Sequence, residues 1–135
     1  LDRAPHERAA AIERIGELLD LLRREFAGDG RFAVHERDGY EALGGLLPPR
    51  ERRGLVLVDP PYETQDQEFD AVVAALGRAL ARWPTGVYAI WYPIKRAGPA
   101  QRFHEALASL GAGQLLAVEL CVHPRDNRAG LNGAG

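Results

Sequence analysis

The sequence predicts an α/β domain of three layers, with helices on both faces of a largely parallel sheet. Three observations carry this. Strand-like and helix-like hydrophobic periods alternate from one end of the 135 residues to the other. One continuous apolar run, Leu55-Val56-Leu57-Val58, is flanked by polar loops, as suits a strand buried on both faces of a parallel sheet. A composition of 46% hydrophobic and 27% charged residues is that of a globular chain with a core, which excludes disordered, collagen-like and coiled-coil readings.

Residues 9–12 read as the end of a short buried strand. Residues 17–26 carry Leu18, Leu19, Leu21 and Leu22 on one side of a helix, closed by Gly28 and Gly30. Residues 31–37 alternate, with Phe32 and Val34 set against Arg31, Ala33 and His35, as a strand does. A short helix over 39–47 stops at Pro48-Pro49. After the strand at 54–58, residues 68–83 place Phe69, Val72, Val73, Leu76 and Leu80 at helical spacing ahead of Pro84. Residues 86–92 are β-branched and aromatic, 101–110 helical, and 114–122 a further strand. Cys121 within that strand reads as a buried small hydrophobe, and Gly130, Gly133 and Gly135 as a turn. No internal repeat, low-complexity tract or linker divides the chain. Strict alternation implies right-handed crossovers.

The formal charge is −2, so no global basic field points to nucleic acid or an anionic membrane. Lys95 is the sole lysine among 17 Lys and Arg residues, and arginine abundance alone carries little functional weight. No apolar run approaches the ~20 residues that cross a bilayer, and no charged-then-apolar leader opens the chain; no membrane role is expected. One cysteine forbids an internal disulfide and fits a reducing cytoplasm. His6, His35, His104 and His123 lack ligand spacing, so no metal is expected. The absence of methionine, with Leu1 at the start, suggests a piece of a longer protein.

In such sheets, sites form just after each strand, at the carboxyl edge. Those positions are Glu13, Asp38-Gly39, Asp59-Pro60-Pro61-Tyr62, Tyr92-Pro93 and His123-Pro124. The sharpest follows the most hydrophobic strand. Pro60 and Pro61 have fixed φ and no N–H, so the carbonyls of Asp59 and Pro60 can face a cleft. An acidic side chain and a free carbonyl make a pair of acceptors, and Tyr62 adds a flat stacking face. Such a set suits an aromatic amine: the acceptors take its two hydrogens and turn the nitrogen lone pair towards an electrophile. As a bare tetrapeptide the same residues would also make a rigid turn; their place after this strand favours function. Asp38 followed by Glu41 reads as a capping box. Arg50, Arg52 and Arg53, and Lys95, Arg96 and Arg102, are either solvated or meet phosphates. Trp91 and Tyr92 either line the pocket or pack in the core, with core packing favoured for Trp91.

Asp59-Pro60-Pro61-Tyr62 resembles the (D/N)PPY motif of S-adenosylmethionine-dependent methyltransferases acting on exocyclic amines. Three longer strings, from Arg53 to Glu63, from Thr85 to Lys95 and from Val118 to Pro124, resemble the RlmJ family, which methylates N6 of an adenine in 23S ribosomal RNA. The resemblance implies a Rossmann-like class I methyltransferase three-layer sandwich with sheet order 3-2-1-4-5-7-6. Residues 1–135 would be part of that domain, supplying strands two to six, with the first and last strands missing and no activity alone. It implies that Asp59, Pro60 and Tyr62 are catalytic. Asp59 would also lie beside the cofactor S-adenosylmethionine, Asp38 and Gly39 would meet its adenine end, and Glu13 would chelate its ribose hydroxyls. The chain continues Glu13 with Arg14-Ile15-Gly16 where the family has Leu-His-Pro, so Glu13 also reads as a solvated residue at a helix start. The implied partner is 23S ribosomal RNA, free or partly assembled, met by a cytoplasmic monomer. Two alternatives stay open: a DNA adenine-N6 or other exocyclic-amine methyltransferase, and a non-catalytic nucleic-acid-binding remnant.

Overall fold

The computed structural model describes residues 9–13, 16–62, 64–95, 97–124 and 130–135. His6, Arg14, Ile15, Glu63 and Arg96, named above, lie outside the described residues, and of Glu13 only the strand position is described. The chain divides into two compact units, Leu1–Gly45 and Leu46–Gly135.

The first unit holds a parallel pair. Strand β1 (Ala9–Glu13) runs beside β2 (Phe32–Glu36), with Ala9 opposite Phe32 and Glu13 opposite Glu36. Helix α1 (Gly16–Glu25) joins them as the crossover that a parallel pair requires. Its Leu19 is fully buried, while Leu18 and Leu21 stay exposed, so the apolar stripe is narrower than its four leucines predicted. The chain leaves α1 through Gly28 at φ 84, a left-handed residue of the kind that ends helices, and Phe26 stacks on Phe32 at 3.7 Å. Helix α2 (Gly39–Leu46) follows β2 and buries Ala42 and Leu43.

In the second unit β3 (Leu55–Val58) pairs in parallel with β4 (Val87–Ile90), Leu55 opposite Val87 and Val58 opposite Ile90. The crossover helix α3 (Gln65–Arg82) buries Phe69, Val72, Ala75, Leu76 and Ala79, a spacing of three and four that lines one face. After β4 come β5 (Pro93–Ile94), α4 (Ala97–Ser109), β6 (Leu120–Cys121) and β7 (Gly133–Ala134). Both α3 and α4 begin earlier than the periodicity predicted. In α4 the reason is Pro99, which reads as a breaker but sits in the first turn, where no intrahelical N–H is required. The core is aromatic: Phe69 stacks on Phe103 at 4.2 Å, and Tyr92 meets Phe103 edge-on at 5.5 Å.

Four expectations are corrected. The strand at 114–122 shrinks to Leu120–Cys121, which pairs with β7. Cys121 is exposed, because those residues present their side chains to solvent instead of to a core. The glycines read as a turn include a strand: β7 runs antiparallel between β5 and β6, the order β5-β7-β6. Gly133 permits this, since a Cβ there would strike the backbone of Leu120 and Cys121. Finally, β3 is not buried on both faces. Leu55 and Leu57 are 64% and 67% exposed, and only the face of Val56 and Val58 is partly covered.

The described strands form separate sheets: β1-β2 in the first unit, and β3-β4 and β5-β7-β6 in the second. Trp91-Tyr92 bridge the last two: the Trp91 amide donates to the Val58 carbonyl at 3.0 Å, and Tyr92 exchanges two backbone bonds with Gly135 at 2.9 and 3.1 Å.

Candidate functional site

The parallel register of β3 and β4 brings their carboxyl ends to one edge of the second unit, with Asp59-Pro60-Pro61-Tyr62 following one strand and Trp91-Tyr92-Pro93 the other. Asp59 is exposed there and Pro60 partly so. Tyr62 is different. Its ring is 1% exposed, packed edge-on to Phe69 at 5.6 Å and tilted against Trp91 at 6.1 Å. Its hydroxyl donates to the Trp91 carbonyl at 2.7 Å, and its own carbonyl accepts from Lys95 Nζ at 3.0 Å. Its φ of 51 lies in the left-handed region, which bulky residues rarely adopt. Burial, and then the negative charge of Asp59, hold the phenol well above its ordinary pKa.

This geometry corrects two readings. Tyr62 offers no open face to a base in this conformation, because the ring is spent on packing the turn. Trp91, expected in the core, is 40% exposed and is the open aromatic at this edge, whereas Tyr92 is the core residue of the pair.

Three residues that sequence reasoning undervalued support the turn. Gln65, opening α3, donates from Nε2 to the Pro93 carbonyl at 2.8 Å and is buried. Lys95, read as either solvated or a phosphate contact, turns its ammonium inward to the Tyr62 carbonyl. Tyr92 joins His104 (2.6 Å) and Glu119 (2.9 Å) through its hydroxyl, tying α4 and the segment before β6 to the β4–β5 bridge. The one available signal was Lys95 standing as the single lysine in an arginine-rich chain. The basic residues divide as follows: Arg50, Arg52 and Arg53 are exposed before β3, and Arg102 lies 3.7 Å from Asp66 on the surface.

In the first unit, β2 delivers Asp38 to the start of α2. Asp38 Oδ1 accepts from the amides of Tyr40 and Glu41 at 2.9 and 3.2 Å, an N-cap as the Asp38–Glu41 spacing predicts. Gly39 has nothing within 4 Å of where a Cβ would stand, so internal packing does not demand the glycine. Glu13 ends β1 in register with Glu36, whose carboxylate takes Arg23 at 3.2 Å. Among the described residues no group of His, Cys, Asp and Glu could hold a metal, and no helix is long and apolar enough to cross a membrane.

A family model described as ribosomal RNA large subunit methyltransferase D, RlmJ, matches residues 4–135. Two curated relatives, each named ribosomal RNA large subunit methyltransferase J, come from Haemophilus influenzae and Escherichia coli K12. They are 39% and 40% identical to this chain over 115 residues, 85% of its length. The chain spans 41% of the length of each. A crystal structure of a Legionella pneumophila protein shares the fold over 98% of this chain and 48% of its own, with a TM-score of 0.81 at 24% identity.

Proposed function

Because the chain belongs to the RlmJ family of ribosomal RNA large subunit methyltransferases, we propose that the protein methylates the exocyclic N6 amine of an adenine in 23S ribosomal RNA, using S-adenosylmethionine. The observation that carries this reading is an exposed Asp59 at the carboxyl end of β3, beside a proline pair and a turn held from outside. Asp59 and the Pro60 carbonyl accept the two N6 hydrogens and aim the nitrogen lone pair. A neutral aromatic amine is a weak nucleophile, so orientation and stabilisation of the charge that develops on nitrogen supply most of the rate. Trp91 is the aromatic face on which the extruded base stacks, while Tyr62 holds the turn.

The acidic residues suit the cofactor. Asp38 and the open space at Gly39 fit the adenine end, where the first amides of α2 also lie, and Glu13 fits the ribose hydroxyls. When bound, S-adenosylmethionine supplies a methyl group on a sulfonium cation, a charge that Asp59 is of the right sign to favour. The partner is ribosomal RNA, free or partly assembled, and the protein works as a cytoplasmic monomer.

Transfer of tritium from labelled S-adenosylmethionine, measured with the whole protein on unmodified ribosomal RNA and on DNA, tests this. Wild type labels RNA and not DNA, and Asp59→Ala lowers the rate by at least about 10²-fold. Substantial labelling by Asp59→Ala removes Asp59 from the reaction. Labelling of DNA alone reassigns the substrate, and no calorimetric signal with S-adenosylmethionine leaves a non-catalytic nucleic-acid binder.

A further inference from the structure

The turn after β3 cannot hold itself. Pro60 and Pro61 donate no backbone hydrogen bond, and Tyr62 sits at φ 51, a conformation that strains a bulky residue. Such a residue persists only where its surroundings over-determine it. The bond from the Tyr62 hydroxyl to the Trp91 carbonyl fixes the ring. The peptide plane is fixed by the other end, where Lys95 Nζ donates to the Tyr62 carbonyl at 3.0 Å. Lys95 is itself well anchored. It follows Ile94, which is 0% exposed; its carbonyl accepts from Asn132 Nδ2 at 3.0 Å; and the neighbouring Pro93 carbonyl accepts from Gln65.

The residue type matters too. Every other member of the 17 Lys and Arg residues is arginine. A guanidinium presents a planar fork matched to carboxylates and phosphates, whereas a single carbonyl is met by the compact ammonium of lysine. We infer that Lys95 is a positioning residue for Asp59: its ammonium locks the Tyr62 peptide and so fixes the direction of the Asp59 carboxylate and the Pro60 carbonyl. The catalytic consequence rests on the methyl transfer proposed above; the lock itself does not.

The test uses the whole protein with Lys95→Met and Lys95→Arg. Deuterium uptake by the peptide carrying Tyr62 and the first turn of α3 rises about tenfold in rate in Lys95→Met, and less in Lys95→Arg, while uptake in the first unit is unchanged. For methyl transfer, kcat falls by about 10- to 100-fold in Lys95→Met, as a displaced reacting group requires. KM for RNA and the salt dependence of RNA binding stay as in wild type. Lys95→Arg keeps the charge and recovers only part of kcat. Wild-type uptake at Tyr62 in both variants overturns the inference. So does full activity of Lys95→Arg together with a Lys95→Met that loses RNA affinity and about one unit of salt slope, the signature of a phosphate contact. If Lys95→Met fails to fold, Lys95→Arg alone decides through uptake and kcat. If wild type methylates no RNA, the proposed function falls while uptake still decides the lock.

Discussion

The two turns that carry the candidate residues are built in opposite ways. After β2, Asp38 is held by amides two and three residues ahead of it, in a cap that any isolated helix start could form. After β3, Tyr62 is held by Trp91 and Lys95, 29 and 33 positions away, and by the rings around it. The first turn is local chemistry on a surface. The second is a product of tertiary structure, and it exists only when β4, β5 and α3 are in place. A group that must orient an amine needs the second kind of support, because a rigid direction comes from several elements that converge. A group that meets a cofactor by charge and hydrogen bonding can make do with the first.

The largest effect that separates the two turns comes from the aromatic core. Phe69 stacks on Phe103 and meets both Tyr62 and Tyr92 edge-on. Phe69→Ala in the whole protein should lower stability by about 3–5 kcal/mol, read from urea unfolding. Deuterium uptake should rise around Tyr62 and not around Asp38. Equal loosening of both turns would show that the second is no more dependent on distant packing than the first.

The hydroxyl of Tyr62 offers a smaller and more selective probe. Tyr62→Phe keeps the ring and removes the bond to the Trp91 carbonyl, which should destabilise by about 1 kcal/mol at neutral pH. The pH dependence has a definite sign. Burial first, then the charges of Asp59, Glu68 and Tyr92, raise the folded phenol above its ordinary 10.0. The folded state therefore keeps a proton that the unfolded state gives up. The contribution is complete below pH 10 and is lost as pH climbs towards the folded value. Wild type should thus lose stability above pH 10 more steeply than Tyr62→Phe; identical slopes would mean that the phenol is not buried as described.

The same contrast governs what the sequence disclosed. Strands β1 to β4 and helices α1 to α3 follow from hydrophobic periods, and the Asp38 cap from a spacing of three, because each is decided within a few residues. The position of Asp59 after β3 was legible for the same reason. The burial of Tyr62 was not, since a tyrosine after two prolines has no local cue to its ring's surroundings, and its partners lie beyond any window. Trp91 and Tyr92 are adjacent and chemically alike, so only partners distant in sequence, Gly135 on the Tyr92 backbone and Phe103 against its ring, decide which faces inward. Likewise β7 has no strand-forming side chain at Gly133; it is a strand because it pairs with β5 and β6, and the close approach of β6 leaves no room there for a Cβ.

The smallest expected effect tests the local turn. Asp38→Ala removes the cap of α2 and should destabilise by about 1 kcal/mol, a loss felt in the first unit and not at Tyr62. Asp38→Asn is more informative, because asparagine caps a helix about as well as aspartate and its oxygen can accept from the same amides. Stability should then stay near wild type. If Asp38 serves only the helix, S-adenosylmethionine affinity of the whole protein will be unchanged in Asp38→Asn. If the carboxylate also meets the adenine end of the cofactor, calorimetry will show weaker binding with α2 intact, and the two duties of one side chain will have been separated by a change of charge alone.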